Sequence, residues 1–226
     1  MNDNTIQDNF GNSVASLISQ LNTYATSNDW REYGMSVSYA DNQYFVSDQN
    51  DPATPNNPNY ITSGDANSVE INRTYRAYLI AHTHPPGSNP APSPSDAITL
   101  ARAYREDDAE NITANVVFAA DGSQYMVYIE DRSAFNTFCN GPSYYSFINA
   151  EGSMFGIGGY DTYYNEVYNN LKTQNYYDND AQSYALSYVL DYFNTGMKIY
   201  EKRNGEFKEQ KTEIKYNNNY SPQICQ

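Results

Sequence analysis

The sequence predicts an α/β fold, in which a β-sheet is flanked by helices, from three observations. Residues 12–26 carry apolar side chains at the spacing of an amphipathic helix, namely Val14, Leu17, Ile18 and Leu21. Aromatic and β-branched residues typical of strands follow in residues 30–39, 43–47 and 75–81. Residues 112–120 and 124–130 flank Asp121-Gly122, a pair that favours the tight turn of a β-hairpin.

The last third of the chain has a different composition, rich in Tyr, Asn and Gly from about residue 140. Its apolar spacing predicts helices over 161–172 and 180–194, the second ending before Gly196. A second hairpin is predicted around Asn204-Gly205. We therefore predict a first domain at 1–138 and, packed on it, a helix-plus-hairpin extension at 139–226. The tyrosines of the extension are expected in core and half-buried positions rather than on a sugar- or peptide-binding surface.

Composition limits the classes of partner and location. The formal net charge of −14 argues against binding to nucleic acid, because a phosphate backbone needs a basic surface. No run of 18 apolar residues occurs, so no membrane span is predicted. The N-terminus lacks the features of a signal peptide, yet a secreted, cell-surface or cytoplasmic location stays open, as does the oligomeric state.

Cys139 and Cys225 are too few for a disulfide framework, and a single bridge between them stays open.

The histidines are the first candidate site. His82 and His84 are the only two in the chain, and they stand two residues apart at the end of a predicted strand. Side chains at i and i+2 of a strand point to the same face, so the two imidazoles project together. Asp96 follows a loop of turn-forming residues. Two imidazoles, one carboxylate and a water would complete a tetrahedral zinc site with an open position, which is the pattern of a catalytic metal.

The segment Ser93-Pro94-Ser95-Asp96 has a second interpretation that needs no metal. Ser at the N-cap, Pro at the first helical position and an acid at the third form a favourable helix start. Ser93 and Asp96 can serve both purposes, because a helix start would hold the carboxylate rigidly beside the histidines.

The arrangement His-x-His-Pro, seven residues, then Ser-x-x-Asp resembles the signature of the JAMM (MPN+) metalloproteases, which include deubiquitinating isopeptidases and bacterial relatives. Residues 82–100 are also similar to RadC-type bacterial proteins. The resemblance covers roughly residues 76–131, with one further position at Glu32. It implies a cytidine-deaminase-like mixed β-sheet and a Zn²⁺ ion held by His82, His84 and Asp96.

The resemblance also implies roles for two further residues. Glu32, close before Gly34, matches the general base that activates water, although many members have one more residue between the Glu and the Gly. Ser93 matches the residue that donates a hydrogen bond to the developing oxyanion. Glu70 is an alternative base, and a third interpretation leaves Glu32 as a surface residue beside Arg31.

The function implied is hydrolysis of a peptide or isopeptide bond in a protein or peptide substrate. Residues 48–72 form a long polar segment, predicted to border the cleft or to be a disordered connector. Two other functions stay open, namely a non-catalytic binding or interaction module and one domain of a secreted toxin or effector.

Overall fold

The computed structural model describes residues 14–40, 43–46, 61–71, 73, 76–148, 155–156, 159–215 and 219–225. Its helices are α1 Val14–Ala25, α2 Pro94–Glu106, α3 Arg132–Asn140, α4 Ser143–Phe147, α5 Gly159–Thr173 and α6 Asp178–Tyr192. Its strands are β1 Tyr33–Ala40, β2 Gln43–Val46, β3 Thr62–Ser63, β4 Ala77–His84, β5 Ala114–Ala119, β6 Gln124–Ile129, β7 Met197–Arg203, β8 Glu206–Lys215 and β9 Asn219–Ile224. The predicted α/β class is confirmed.

Backbone contacts divide the chain into two compact units. The first contains Met1–Pro90 and Arg102–Gln124, and the second contains Ala91–Ala101 and Tyr125–Gln226. The division of roles between residues 1–138 and residues 139–226 stays a prediction.

A mixed sheet forms the centre of the first unit. Strand β1 pairs antiparallel with β2, β3 and β4, whereas β4 pairs parallel with β5. Helix α1 packs on this sheet, and the Tyr24 ring stacks on Tyr33 with centroids 4.3 Å apart. Val14, Leu17 and Leu21 of α1 are buried, as their spacing predicts.

Strand β4 runs further than predicted, because it continues through both histidines. Backbone pairing on both sides explains the extension. His82 lies opposite Gly34 of β1 and Val117 of β5, and His84 lies beside Ala119 of β5. The end of β4 is therefore fixed on both edges, which leaves its side chains little freedom of direction.

The second unit contains an antiparallel arrangement of β6, β7, β8 and β9, with α6 packed on β7 and β8 and α5 packed on α6 and β9. The predicted hairpin at Asn204-Gly205 is confirmed, and both residues have the positive φ of a type I′ turn. The predicted helix stop at Gly196 is wrong, because Asn194 already takes the left-handed conformation after α6. Gly196 instead lies against Asp131, whose carbonyl oxygen would be 2.3 Å from an added Cβ.

Sequence patterns missed α3, α4, β3 and β9, all of which are short or lack a regular apolar period. Among the described tyrosines of the predicted extension, five are buried, namely Tyr144, Tyr160, Tyr184, Tyr188 and Tyr220, whereas Tyr145, Tyr177 and Tyr192 are exposed. No disulfide joins Cys139 and Cys225. Among the described residues, no helix has the length and apolar character needed to cross a bilayer.

Candidate metal centre

Three predicted ligands come together on one short segment of the chain. His82 and His84 end β4, and Asp96 lies in the first turn of α2. Their candidate ligand atoms all lie within 4.8 Å of one another. All three side chains are buried, with 6%, 8% and 6% of their surface exposed. Such a group could hold a metal ion.

Each imidazole is oriented by a hydrogen bond to its Nδ1 atom. His84 Nδ1 lies 2.7 Å from the carbonyl oxygen of Asn89, and because a carbonyl only accepts, Nδ1 carries the proton. His82 Nδ1 lies 3.1 Å from Oδ1 of Asn115, a side chain that is only 1% exposed. With the Asn115 amide oriented in this way, His82 is also protonated at Nδ1. In the neutral form, each ring then presents an unprotonated Nε2.

The two Nε2 atoms lie 3.2 Å apart. Neither can donate to the other when both protons are on Nδ1, so two lone pairs face each other across this gap. A cation between them would remove that conflict. Two nitrogens bound at about 2.0–2.1 Å to a tetrahedral zinc are separated by about 3.3–3.4 Å, which fits the observed pair. The donor set and its geometry therefore suit a metal ion.

Asp96 is fixed by the helix start. Its Oδ2 accepts from the backbone N–H of Ser93 at 2.6 Å and from Ser93 Oγ at 2.9 Å. The Asp96 N–H donates to the Ser93 carbonyl at 3.1 Å. This is the acidic half of a capping box, so the helix-start interpretation describes the local geometry correctly. The same hydrogen bonds hold the carboxylate beside the two histidines.

Glu32 lies one residue before β1 and is buried, with 7% of its surface exposed. The recorded pairing of β1 with β4 ends at Gly34 and His82, and the same register continued by two residues would place Glu32 opposite His84. Opposite residues of antiparallel strands share a face, so in that register the Glu32 side chain would lie on the face that carries the histidines. The Tyr33 N–H donates to Thr83 Oγ1 at 2.9 Å and ties the strands together at this point.

The third interpretation, in which Glu32 is a surface residue beside Arg31, does not hold, because Glu32 is buried. Arg31 forms its ion pair with another acid. Its guanidinium binds Asp29 through two hydrogen bonds of 3.1 and 2.7 Å, and Tyr33 Oη donates to the same carboxylate at 2.6 Å. These hydrogen bonds, that from Arg31 above all, hold the pKa of Asp29 well below its usual range. The positive charge of Arg31 is thus paired with a different acid.

Glu70, the alternative base, has an exposed side chain. Its neighbours Val69 and Ile71 both lie against Gly34, where an added Cβ would come 3.0 Å from Val69 Cγ1 and 2.5 Å from Ile71 Cδ1. Because side chains alternate along an extended segment, Glu70 points away from that strand. The two candidate bases therefore differ in burial, since Glu32 is buried and Glu70 is exposed.

The polar segment 48–72 is only partly described, since residues 48–60 and 72 lie outside the described residues. Residues 61–71 are not a plain loop, because β3 pairs with β1. The Gly64 N–H donates to the Glu32 carbonyl at 2.8 Å, and the Glu32 N–H donates to the Asp65 carbonyl at 2.7 Å. This part of the segment therefore fixes the backbone on which Glu32 stands.

A cleft of about 330 Å³ opens beside His84. It is bounded by the end of α1, the loop after β4 and the turn after β5, with the lining residues Thr26, Ser27, Asn28, His84, Pro85, Pro86, Gly87, Ser88, Pro90, Ala120 and Asp121. Its size is at the lower end of that of small-ligand pockets.

Two residues that orient the histidines were not predicted. The Asn89 carbonyl is a backbone group that no sequence pattern marks. Asn115 could have been noticed, because it is an amide within the apolar run Ala-Asn-Val-Val-Phe-Ala of a fully buried strand. A buried amide in such a strand requires a hydrogen-bond partner.

The chain was compared with protein-family models, with curated proteins and with solved structures, and none of them matches it.

Proposed function

We propose that this chain is a zinc-dependent hydrolase of the JAMM type, which cleaves a peptide or isopeptide bond. The observation that carries the proposal is the pair of Nε2 atoms 3.2 Å apart, each on a ring whose Nδ1 is already hydrogen bonded. Asp96 adds a carboxylate, and Glu32 is a buried acid two residues before Gly34, which pairs with His82. Together they supply three ligands and a separate acid.

His82, His84 and Asp96 would hold the ion. Two imidazoles and one carboxylate leave a fourth tetrahedral position open, which is the ligand number of catalytic zinc sites. When bound, Zn²⁺ supplies Lewis acidity that activates water and polarises a carbonyl. The protein supplies the fixed direction of the ligands, through Asn89, Asn115 and the first turn of α2.

Glu32 is proposed as the general base. It takes a proton from the attacking water and delivers it to the leaving amine. Its absence from the group of mutually close ligand atoms fits this role, since a base has to remain unbound by the metal. Ser93 is proposed to donate a hydrogen bond to the oxyanion, for which its hydroxyl must turn away from Asp96 Oδ2.

The proposed substrate is a protein or peptide. The cleft beside His84, of about 330 Å³, is of a size that suits a small group such as a side chain of a peptide. Its walls combine proline rings with hydroxyl and amide groups, and its described lining residues include no Lys or Arg to bind phosphate. The strongly negative net charge likewise disfavours a nucleic-acid substrate.

Metal content is the first test. We expect elemental analysis of protein purified without a metal-affinity tag to find about one zinc per chain. The same donor set also suits ferrous iron. Stoichiometric iron with no zinc would contradict the zinc-dependence of the proposed hydrolase.

Replacing Glu32 by Gln tests the reaction itself. Gln keeps the size and hydrogen bonding of Glu but cannot take a proton, so we expect zinc content and fold to persist while hydrolysis falls by about 100-fold or more. The substrates would be a peptide mixture and lysine-linked isopeptides, with ¹⁸O incorporation from labelled water read by mass spectrometry. Glu70→Gln is the matched control and should retain activity. Loss of activity in Glu70→Gln alone would assign the base to Glu70.

One observation favours a second function, that of a binding or interaction module. Ser93 and Asp96 satisfy each other as a helix cap without any metal. A chain that binds no metal and cleaves none of these substrates, in the wild type as in Glu32→Gln, would support this function. A module that forms one domain of a secreted toxin or effector would behave in the same way.

A further inference from the structure

We infer that Asn115 is a positioning residue that keeps His82 in the tautomer able to bind metal. The inference rests on the proposed metal centre but not on hydrolysis. Asn115 lies on β5 and is almost completely buried, and its Oδ1 is 3.1 Å from His82 Nδ1. In this orientation the amide oxygen accepts the Nδ1 proton and leaves Nε2 unprotonated.

The neighbouring ring makes this choice decisive. His84 Nδ1 must donate to the Asn89 carbonyl, so His84 Nε2 is an acceptor in the neutral ring. His82 Nε2 lies 3.2 Å away. If His82 carried its proton on Nε2, it would donate to His84 Nε2 and form a hydrogen bond in the position of the metal. With its proton on Nδ1, His82 leaves the space between the two Nε2 atoms available to a metal, and we call this the metal-ready tautomer. With its proton on Nε2, His82 fills that space with a hydrogen bond to His84, and we call this the closed tautomer.

Asn115 selects between these states because its side chain can present either an oxygen or an NH₂ group to Nδ1. The oxygen stabilises the metal-ready tautomer, whereas the NH₂ group would stabilise the closed one. Outer hydrogen bonds of this kind fix the tautomer and ring direction of metal-binding histidines, and their loss typically weakens metal binding by about 10–100-fold. We therefore expect Asn115 to act on metal affinity through His82, without touching the metal.

Three variants separate this role from a general packing role. Asn115→Asp presents only oxygens to Nδ1 and should bind Zn²⁺ at least about as tightly as the wild type. Asn115→Leu keeps the branching of the side chain but removes the acceptor, and should weaken Zn²⁺ binding by about 10–100-fold in a competition assay with a chromophoric chelator. Gln210→Leu is the control, because Gln210 is an equally buried strand amide that donates to Glu201 and should leave the zinc affinity unchanged.

The tautomer can be read directly in metal-free protein. The chain has only two histidines, so a ¹H–¹⁵N spectrum contains two imidazoles, and His84→Ala identifies the signals of His82. We expect the proton of His82 on Nδ1 in the wild type and in Asn115→Asp, and on Nε2 in Asn115→Leu. This wild-type measurement keeps the inference testable even if Asn115→Leu fails to fold.

Two results would overturn the inference. One is a wild-type His82 protonated at Nε2, and the other is a folded Asn115→Leu that binds Zn²⁺ as tightly as the wild type. Both readouts are independent of cleavage. A protein that binds zinc in this pattern but hydrolyses nothing would contradict the proposed reaction and leave the role of Asn115 intact.

Discussion

The end of β4 and the aromatic cluster of the second unit (Phe138, Phe147, Phe155, Tyr160 and Phe193) are stabilised in different ways. At the end of β4, each buried imidazole is directed by a named acceptor, Asn115 Oδ1 or the Asn89 carbonyl. In the aromatic cluster, rings pack edge to face or stacked, with the Phe147 centroid 5.0 Å from that of Tyr160. The Tyr160 hydroxyl is buried and has no hydrogen-bond partner among the residues that the structure describes, and its burial raises the pKa of Tyr160 to about 12.

The two regions differ in what their contacts determine: hydrogen bonds determine the direction of each imidazole, whereas ring packing fills the volume of the core. A hydrogen bond fixes which atom of a ring faces which neighbour, and a metal site needs that direction. Ring packing excludes water and stabilises through buried area, and it does not depend on which atom of a ring faces which neighbour. We therefore expect changes in the aromatic cluster to alter stability without altering metal binding, and changes at the end of β4 to do the reverse.

The largest expected effect is that of Phe147→Ala. Phe147 has no exposed surface and contacts the rings of Phe138, Phe155 and Tyr160. Removing its ring leaves a cavity, which typically costs about 3–5 kcal/mol of the free energy of unfolding. Urea denaturation would measure this loss. Zinc affinity, measured under conditions where the variant is folded, should stay at the wild-type value.

Tyr145→Ala is the control for this prediction, because Tyr145 lies on the same helix and is 67% exposed. Its free energy of unfolding should change by no more than about 0.5 kcal/mol. A large loss of zinc affinity in Phe147→Ala would contradict the separation between the two regions.

The next effect is that of His84→Ala on metal binding. Loss of a direct ligand should weaken Zn²⁺ binding by more than the roughly 100-fold upper range seen for outer hydrogen bonds. The fold should persist, because the backbone pairing of β4 and the helix start at Ser93 remain. Excess zinc should raise the melting temperature of the wild type but not of the variant.

Asp121→Asn is the matched control, since Asp121 lines the cleft beside His84 with an exposed carboxylate that accepts from Ser123. It should keep the stabilisation by zinc. If His84→Ala still gains stability from zinc as the wild type does, the metal binds elsewhere in the chain.

The same contrast explains what the sequence could predict. The candidate ligands lie within fifteen consecutive residues, 82–96, and strand periodicity alone places both histidines on one face. The capping pattern at Ser93 and Asp96 is equally local, and the observed hydrogen bonds agree with it. Motifs of this kind can be read without knowledge of the fold.

Features that depend on register or on distant packing were harder to predict. Whether Glu32 faces the histidines depends on the pairing of Gly34 with His82, and a shift of one residue would turn Glu32 to the other face. Helix α3 buries Phe135, Phe138 and Cys139 at helical spacing, but α3 and α4 have only nine and five residues, too few for a sustained helical period. Their stability comes from contacts with residues elsewhere in the chain.

The smallest expected effect is that of Ser93→Ala. This variant tests whether the hydrogen bond from the Ser93 hydroxyl fixes the direction of the Asp96 carboxylate at the start of α2. Ser93 Oγ donates one hydrogen bond to Asp96 Oδ2, and the Ser93 N–H donates a second that the substitution leaves in place. We therefore expect a loss of about 1 kcal/mol in the free energy of unfolding, together with a loss of zinc affinity below that of His84→Ala.

Ser95→Ala is the matched control, in the same turn of α2 and without a role at Asp96. Alanine has the higher helix propensity, so this variant should be neutral or slightly more stable. Equal stability and zinc affinity in the two variants would show that the Ser93 hydroxyl does not fix Asp96. If hydrolysis falls by about 100-fold or more in Ser93→Ala while zinc affinity changes only a few-fold, the hydroxyl acts on the oxyanion rather than on the ligand. Parallel losses of rate and affinity would instead assign Ser93 to the positioning of Asp96.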